Sequence, residues 1–412
     1  MTAIVAVLNK HAVAVAADSA VTMGNTHKVV NSANKIFTLS KYNPVAVMTY
    51  NNAAFMGTPW DIIIKEYRKQ LKSICFSKLS EYVDDFVQYL HKRHFFCDAK
   101  TQLDNLEPLF VDFLEMLYNE IAHERNIDKA DITEQFVDEK IKAYMSILKS
   151  QKKCADFNNY ENNEFLNFFE STIIKHIKNK RLQRYDLLAE AFFYYVGLAM
   201  RTANYSGLVF VGYGEDEIYP SLKQLNISFG FDRYLKSFEE EVCSIEEHGT
   251  SAAIIPFAQV DVTQTIIRGI HPSFQDIISK VTEKSINSVI VEITKILDTT
   301  PGNEALSTAV KSLDISSVLK ATSLQIVKAM QTCYTDPLLN TVVSLDKEDM
   351  ANMAESFISL TSLVRRMQPG EETVGGPVDV AVISKGDGFV WINRKHYFKP
   401  ELNAAFFSNY FK

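Results

Sequence analysis

Short, nearly uninterrupted apolar runs open the chain. Residues 3–8 and 12–17 flank the polar triplet Asn9-Lys10-His11, and residues 35–39 and 45–50 repeat the pattern around Tyr42-Asn43-Pro44. Runs this short, rich in β-branched residues and separated by turn formers, predict two β-hairpins. Their continuous hydrophobicity predicts a sheet covered on at least one face by another layer. Thr58-Pro59-Trp60-Asp61 then offers an N-cap, a proline at the first helical position and an acid soon after, which predicts a helix running to Leu71.

Beyond residue 72 the period changes. Leu79, Tyr82, Val83, Phe86, Val87 and Leu90 follow helical spacing, as do Leu109, Phe110, Phe113, Leu114, Leu117, Tyr118 and Ile121. Further helices are predicted over 132–153 and 163–203. Glycine is absent between Gly57 and Gly197, and proline there is confined to Pro59 and Pro108, which argues against a tightly turned sheet. The segment 73–204 therefore reads as a helical insertion into a core made of 1–72 and 205–412. Strands are predicted again at 207–214, 224–231, 236–244 and 252–265. Helices are predicted over 273–297, 304–333 and 347–366, and the chain closes with strands at 378–384 and 389–393 around Gly386-Asp387-Gly388. This order predicts a layered α+β sandwich with helices outside two sheets.

Composition narrows the function. Of 412 residues 47% are hydrophobic and 23% charged, an ordinary globular mixture that excludes disorder and coiled-coil rods. A formal charge of −7 supplies no basic excess for nucleic acid or an anionic membrane. No apolar run reaches the roughly 18 residues of a membrane span. The apolar start lacks a preceding basic residue and is broken at Asn9-Lys10-His11, unlike a signal peptide. Five cysteines, an odd number with no close pair, suit reduced thiols. A cytoplasmic protein is expected.

Three weaker patterns have bland readings. His91, His94 and Cys97 recur at three-residue steps, but no second ligand cluster completes a zinc site and Lys92 and Arg93 share the helix end; neither metal nor cofactor is expected. Residues 212–217 read as an acidic turn after a strand, lacking the spacing of a nucleotide or calcium loop. The aromatic run Phe192-Phe193-Tyr194-Tyr195 is expected to pack the insertion.

The candidate chemistry begins at Thr2, directly behind the initiator methionine. Removal of Met1 leaves a hydroxyl and a free α-amine whose ordinary pKa, about 7.7–8.0, suits a general base. A lysine nearby would hold that pKa down, and an aspartate would orient the lysine. Asp18 closes the second strand and Lys35 opens the third. Taken singly, these are a surface terminus, a turn acid and a strand-edge lysine.

Together they carry a resemblance. Thr2-Ala3-Ile4-Val5-Ala6-Val7, the run at 12–17 followed by Asp18-Ser19, and Thr22-Met23-Gly24-Asn25-Thr26 resemble the start of proteasome β subunits and of the HslV-like peptidases. Gly375-Gly376-Pro377 leading into Val378-Asp379-Val380-Ala381-Val382-Ile383 is similar to that family's last core strand. Val211-Gly212-Tyr213-Gly214 with Ile218-Tyr219 is similar to its middle strand. The resemblance implies a four-layer αββα N-terminal-nucleophile hydrolase sandwich, here with a large all-α insertion. It implies Thr2 as nucleophile, its amine as base, Asp18 and Lys35 as the tuning pair, and Thr22 in the loop that pairs with an extended peptide. Asn51, within Tyr50-Asn51-Asn52, stands where the family's Gly-Gly segment donates a main-chain N–H to the oxyanion.

The resemblance also implies a polypeptide substrate hydrolysed through an acyl-enzyme, a homo-oligomeric ring and a separate ATPase unfoldase as partner. The departures are one extra residue between Thr26 and Lys35, Glu371 as the nearest candidate for a supporting acid, and Val374 where a serine is expected. Two alternatives follow: an amidase acting on a small molecule in a pocket closed by the insertion, or a proteasome-like scaffold without catalysis.

Overall fold

The structure is a computed structural model that describes residues 2–23, 28–159, 162–179, 185–202, 204–368, 374–396 and 398–405. The first hairpin is β1 (Ile4–Asn9) and β2 (Val13–Ala17), followed by the short ladder β3 (Val21–Met23) and β4 (Lys28–Val30). The second hairpin is β5 (Ile36–Thr38) and β6 (Val45–Asn51), and the two-residue strands β7 (Ala54–Phe55) and β8 (Thr58–Pro59) lead into α1 (Trp60–Leu71). Helices α2 (Leu79–Lys92), α3 (Ala99–Arg125), α4 (Glu134–Ser150), α5 (Asn162–Asn179) and α6 (Tyr185–Gly197) come next. Strands β9 (Ser206–Gly212), β10 (Ser221–Phe231), β11 (Tyr234–Ser244) and β12 (Ala252–Phe257) precede α7 (Val260–Arg268) and α8 (Pro272–Asp298). The chain continues through α9 (Glu304–Lys311), α10 (Ser316–Met330), α11 (Asp336–Ser344) and α12 (Lys347–Met367) to β13 (Asp379–Ser384) and β14 (Gly388–Asn393). This is a mixed α+β chain with antiparallel sheets. It divides into two units, one of residues 1–33, 245–382 and 391–412, the other of 34–244 and 383–390.

In the first unit the strand order is β12-β1-β2-β13-β14. Ala3, Val5, Val7, Ala12, Ala14 and Ala16 share a core with Met350, Ala351, Ala354, Phe357 and Ile358 of α12. Alanine on β2 leaves room for the helix to lie close. The intervening residues Ile4, Ala6, Leu8, Val13 and Val15 are buried as well, so both faces of the hairpin are out of water. Its turn is anchored by Asn9: the side-chain oxygen accepts from His11 and Ala12, and Nδ2 donates to the carbonyls of Val342 and Leu345 at 2.9 Å each. All four hydrogen-bonding positions of a buried amide are thereby used. Asp346 caps α12 by accepting from the Asp349 N–H at 2.9 Å.

In the second unit the order is β11-β10-β9-β6-β5. Phe37, Val45, Val47, Leu208, Phe210, Leu225 and Ile227 pack with Trp60, Ile63 and Tyr67 of α1 and with Tyr82 and Phe86 of α2. Ala46, Met48, Val209 and Val211 are also buried. The helices between 79 and 197 extend this same core with aromatic side chains. Phe192 lies 4.9 Å from Phe110 and 5.6 Å from Phe113 and Phe169, ring centre to ring centre, so the aromatic run packs the helical segment from within. The acidic turn is structural. Glu217 accepts from the main-chain N–H of Gly214 at 2.6 Å and of Leu79 at 2.8 Å, placing a carboxylate at the start of α2.

Three local expectations change. Helix α1 has Pro59, not Thr58, at its N-cap and no side chain capping it, because Thr58 is drawn into β8 opposite Phe55. The predicted strand 252–265 is strand only to Phe257; from Val260 the chain is helical, held by the ion pair of Asp261 with Arg365 of α12. The predicted helix 304–333 is two helices. Asp314 accepts from the Ser316 N–H at 2.9 Å and restarts the helix there, a local bond that competes with helix continuation. A π-turn over Gln331–Thr335 then joins α10 to the unforeseen α11, which carries Pro337 in its first turn.

Candidate active site

The register of the first hairpin places Ile4 opposite Ala17, so Asp18 falls opposite the residue that follows Thr2. The Asp18 N–H donates to the Ala3 carbonyl at 3.1 Å, and Asp18 Oδ1 accepts from the Ala3 N–H at 2.9 Å. Oδ2 accepts from Ala20 at 3.1 Å and from Gly375 at 3.2 Å. A buried carboxylate that takes three main-chain amides is fixed in position as well as charge-stabilised. Asp18 is 1% exposed and Thr2 5%, so the candidate nucleophile lies in buried chain.

Around Asp18 the segment before β13 is laced to the end of β2. The Ser19 N–H donates to the Gly375 carbonyl at 3.1 Å, and the Ser19 hydroxyl donates to the Pro377 carbonyl. Gly376 has φ +75°, and a Cβ there would stand 2.8 Å from Asn31 Cβ, so only glycine fits without displacement. Val374 is fully buried and packs with Val380, Val382 and the α12 side chains. It serves the core. Glu371 lies outside the described residues. Thr22 sits in β3 opposite Val29, and its side chain likewise lies outside what the structure describes.

Lys35 and Asn51 belong to the second unit. Lys35 is 4% exposed, and its carbonyl accepts from the Thr49 N–H at 2.9 Å, joining the start of β5 to β6. Strong burial of a lysine distinguishes it from the solvated strand-edge residue of the bland reading. Asn51 ends β6 with φ +67°, in the left-handed region that glycine favours and asparagine tolerates. Its Nδ2 donates to the Tyr205 carbonyl at 2.7 Å, so the carboxamide is engaged in holding that backbone bend. The Asn52 N–H reaches the same carbonyl at 3.3 Å, and Ser206 Oγ donates to the Asn52 carbonyl at 3.1 Å.

Sequence reasoning missed the polar cluster beside Asn51. Tyr50 and Tyr205 meet edge to face at 6.1 Å, and burial pushes the Tyr50 hydroxyl pKa well above its ordinary value. Arg201 lies over the Tyr205 ring and donates through Nε to Glu240 at 2.8 Å; Asn226 and Gln224 donate to the same carboxylate at 2.9 and 3.2 Å. The placement of Gln224 and Asn226 on one face of β10, opposite the face of Leu225, Ile227 and Phe229, was the available signal. The structure therefore brings Asp18 to Thr2 through the Ala3 amide, and Gly375 to Asp18, while Lys35 and Asn51 belong to the second unit.

Compared with known proteins, the chain matches no family model and no curated sequence significantly. Among the described residues no group of histidine, cysteine or acidic side chains is arranged to hold a metal, and no helix is long and apolar enough to cross a membrane.

Proposed function

We propose that this chain is a threonine-type peptidase of the proteasome β-subunit kind, in which Thr2 becomes the N-terminal nucleophile after Met1 is removed. The observation that carries the reading is the Asp18 carboxylate bonded to the amide of the residue after Thr2. An acid fixed there by three main-chain donors can hold the strand end that presents Thr2 in a single geometry. Burial of Lys35 and the glycine-like backbone of Asn51 support the remaining roles. Two sheets, each with helices on one face and its opposite face buried, support a four-layer αββα sandwich.

In the proposed reaction the Thr2 α-amine takes the Thr2 hydroxyl proton as Oγ attacks the carbonyl carbon of a peptide bond. The charge on the carbonyl oxygen is met by a main-chain N–H at the Asn51 bend. Collapse expels the amine product, which carries away the proton, and leaves an ester on Thr2. Water then attacks that ester, with the α-amine again taking a proton, and releases the acid product. Assembly into a homo-oligomer, and a separate ATPase that delivers unfolded polypeptide, complete this reading.

An epoxyketone probe tests it, because that group closes a ring on a threonine bearing both hydroxyl and free amine. Intact mass of the protein is expected to show loss of Met1 and one adduct, absent in Thr2→Ala. Retention of Met1 in the purified protein overturns the proposal. An adduct accompanied by cleavage of small amides, but not of unfolded casein, redirects it to a small-molecule amidase.

A further inference from the structure

A left-handed asparagine in a strand end persists only where its surroundings fix it, and Asn51 at φ +67° is such a residue. Because the Asn52 N–H donates to the Tyr205 carbonyl, Asn51 and Ser206 form a non-hydrogen-bonded pair of the β6–β9 ladder. The Asn51 N–H therefore points away from β9, to the side on which the Thr49 N–H meets the Lys35 carbonyl. It is the donor at the bend that the proposed reaction would use.

Four hydrogen bonds tie the bend to residues 204–206. Asn51 Nδ2 at 2.7 Å and the Asn52 N–H at 3.3 Å converge on the Tyr205 carbonyl. Asn52 Nδ2 donates to the Asn204 carbonyl at 3.4 Å, and Ser206 Oγ to the Asn52 carbonyl at 3.1 Å. The bend is thus held only as firmly as Tyr205. Two side chains hold the Tyr205 ring: Tyr50, edge to face at 6.1 Å, and Arg201, whose Cζ lies 5.0 Å from the ring centre. The Tyr50 ring has room because position 207 is glycine; a Cβ there would stand 2.0 Å from Tyr50 Cε1.

Arg201 is in turn fixed from the sheet. Its Nε and Nη2 both donate to Glu240 Oε2, Nε at 2.8 Å. The same oxygen accepts from Asn226 Nδ2 at 2.9 Å and Gln224 Nε2 at 3.2 Å, amides of β10 that are 0% and 2% exposed. A lone surface ion pair orders little, but a carboxylate anchored by two buried amides and taking two hydrogens of a planar fork forms a network. All these residues lie in the second unit.

We infer that Arg201, anchored by Glu240, is a positioning residue: through Tyr205 it holds the Asn51 N–H where the oxyanion forms. The catalytic part of this inference rests on the threonine-peptidase reading; the structural part, that Arg201 fixes the bend, does not.

The test compares wild type with Arg201→Met, which keeps the aliphatic stem and removes the fork, and Arg201→Lys, which restores a charge beside Glu240 and Tyr205. Reaction with a peptide epoxyketone, followed by intact mass over a range of probe concentrations, separates the limiting rate of adduct formation from the half-saturating concentration. Removing an oxyanion donor costs about 10²–10³-fold in rate, so loosening one should cost about tenfold. R201M is expected to lower the limiting rate by about that factor at unchanged half-saturation and urea midpoint, and R201K to recover part of the loss. Hydrogen exchange at the Asn52 amide is expected to speed up in R201M. Should R201M lower the urea midpoint, Glu240→Gln is expected to show the same split between rate and half-saturation. An unchanged limiting rate overturns the inference, as does a shift in half-saturation alone, which would mean that Arg201 meets the probe directly. Unchanged exchange at Asn52 overturns it as well, whatever the rate. A wild type that forms no adduct refutes the peptidase reading, while exchange at Asn52, which needs no Thr2 chemistry, still decides whether Arg201 fixes the bend.

Discussion

Replacing Asp18 tests how the site is built as well as how it works. In Asp18→Ala the main-chain N–H groups of Ala3, Ala20 and Gly375 lose their shared acceptor in a region where Asp18 is 1% exposed. An unsatisfied buried donor costs about 1–3 kcal/mol, so three of them cost about 3–9 kcal/mol, a large share of the roughly 5–15 kcal/mol that holds a domain folded. Asp18→Asn should be milder. Its single oxygen can keep Ala20 and Gly375, the two donors on Oδ2, while its amide nitrogen turns against Ala3, at a cost of about 1–3 kcal/mol. Urea unfolding of wild type, D18N and D18A, each carrying Thr2→Ala so that activity plays no part, should rank them in that order. Hydrogen exchange at Ala3, Ala20 and Gly375 should speed up in D18A, and at Ala3 selectively in D18N. If D18A stays within about 1 kcal/mol of wild type and exchange at Ala3 and Gly375 is unchanged, the carboxylate does not hold the strand end and the reasoning is wrong.

The left-handed bend at Asn51 should accept Asn51→Gly with less than about 1 kcal/mol lost, whereas Asn51→Val should lose about 1–2 kcal/mol to backbone strain, read by thermal melting; equal effects would dismiss the bend as the constraint. Gly376→Ala should cost about 1–3 kcal/mol through the contact with Asn31, and a neutral outcome in the same melt would show that the Asn31 loop yields. Buried Lys236, whose ammonium donates to the Val196 and Leu198 carbonyls, has its pKa pulled down from 10.5 to about 8 by burial. Between those values the unfolded chain binds more protons than the folded protein, so stability rises with pH through that window and the penalty is complete below pH 8. Wild type should therefore gain about 2–3 kcal/mol on Lys236→Met between pH 7.5 and pH 10 in paired urea titrations, and parallel curves would contradict the assignment.

Much of this structure was legible locally. The hairpins at 4–17 and 36–51, the helix spans 79–92 and 347–367, and the closing strands around Gly386 follow from period and turn chemistry within a few residues. The failures came where a distant partner outweighed local preference. The β-branched run at 260–263 became helix because Asp261 meets Arg365, more than a hundred residues away. Residues 212–217 form the expected acidic turn after a strand, but nothing local showed that Glu217 would also accept from the Leu79 N–H at the start of α2. Val374, read as a missing site serine, is a core residue under α12.

The same division runs through the candidate site. Sequence alone determined that a threonine precedes a buried hairpin ending in Asp18, that a lysine opens the next strand, and that a glycine pair enters β13. These are properties of short segments, set by the alternation and turn preferences of neighbouring residues. Only the tertiary structure decided that the two hairpins enter different sheets, that β1 pairs with β12 and β6 with β9, and that Asp18 reaches the amide of Gly375. Those choices depend on which distant surfaces exclude water from one another and which buried polar groups find partners, and no short segment contains that information.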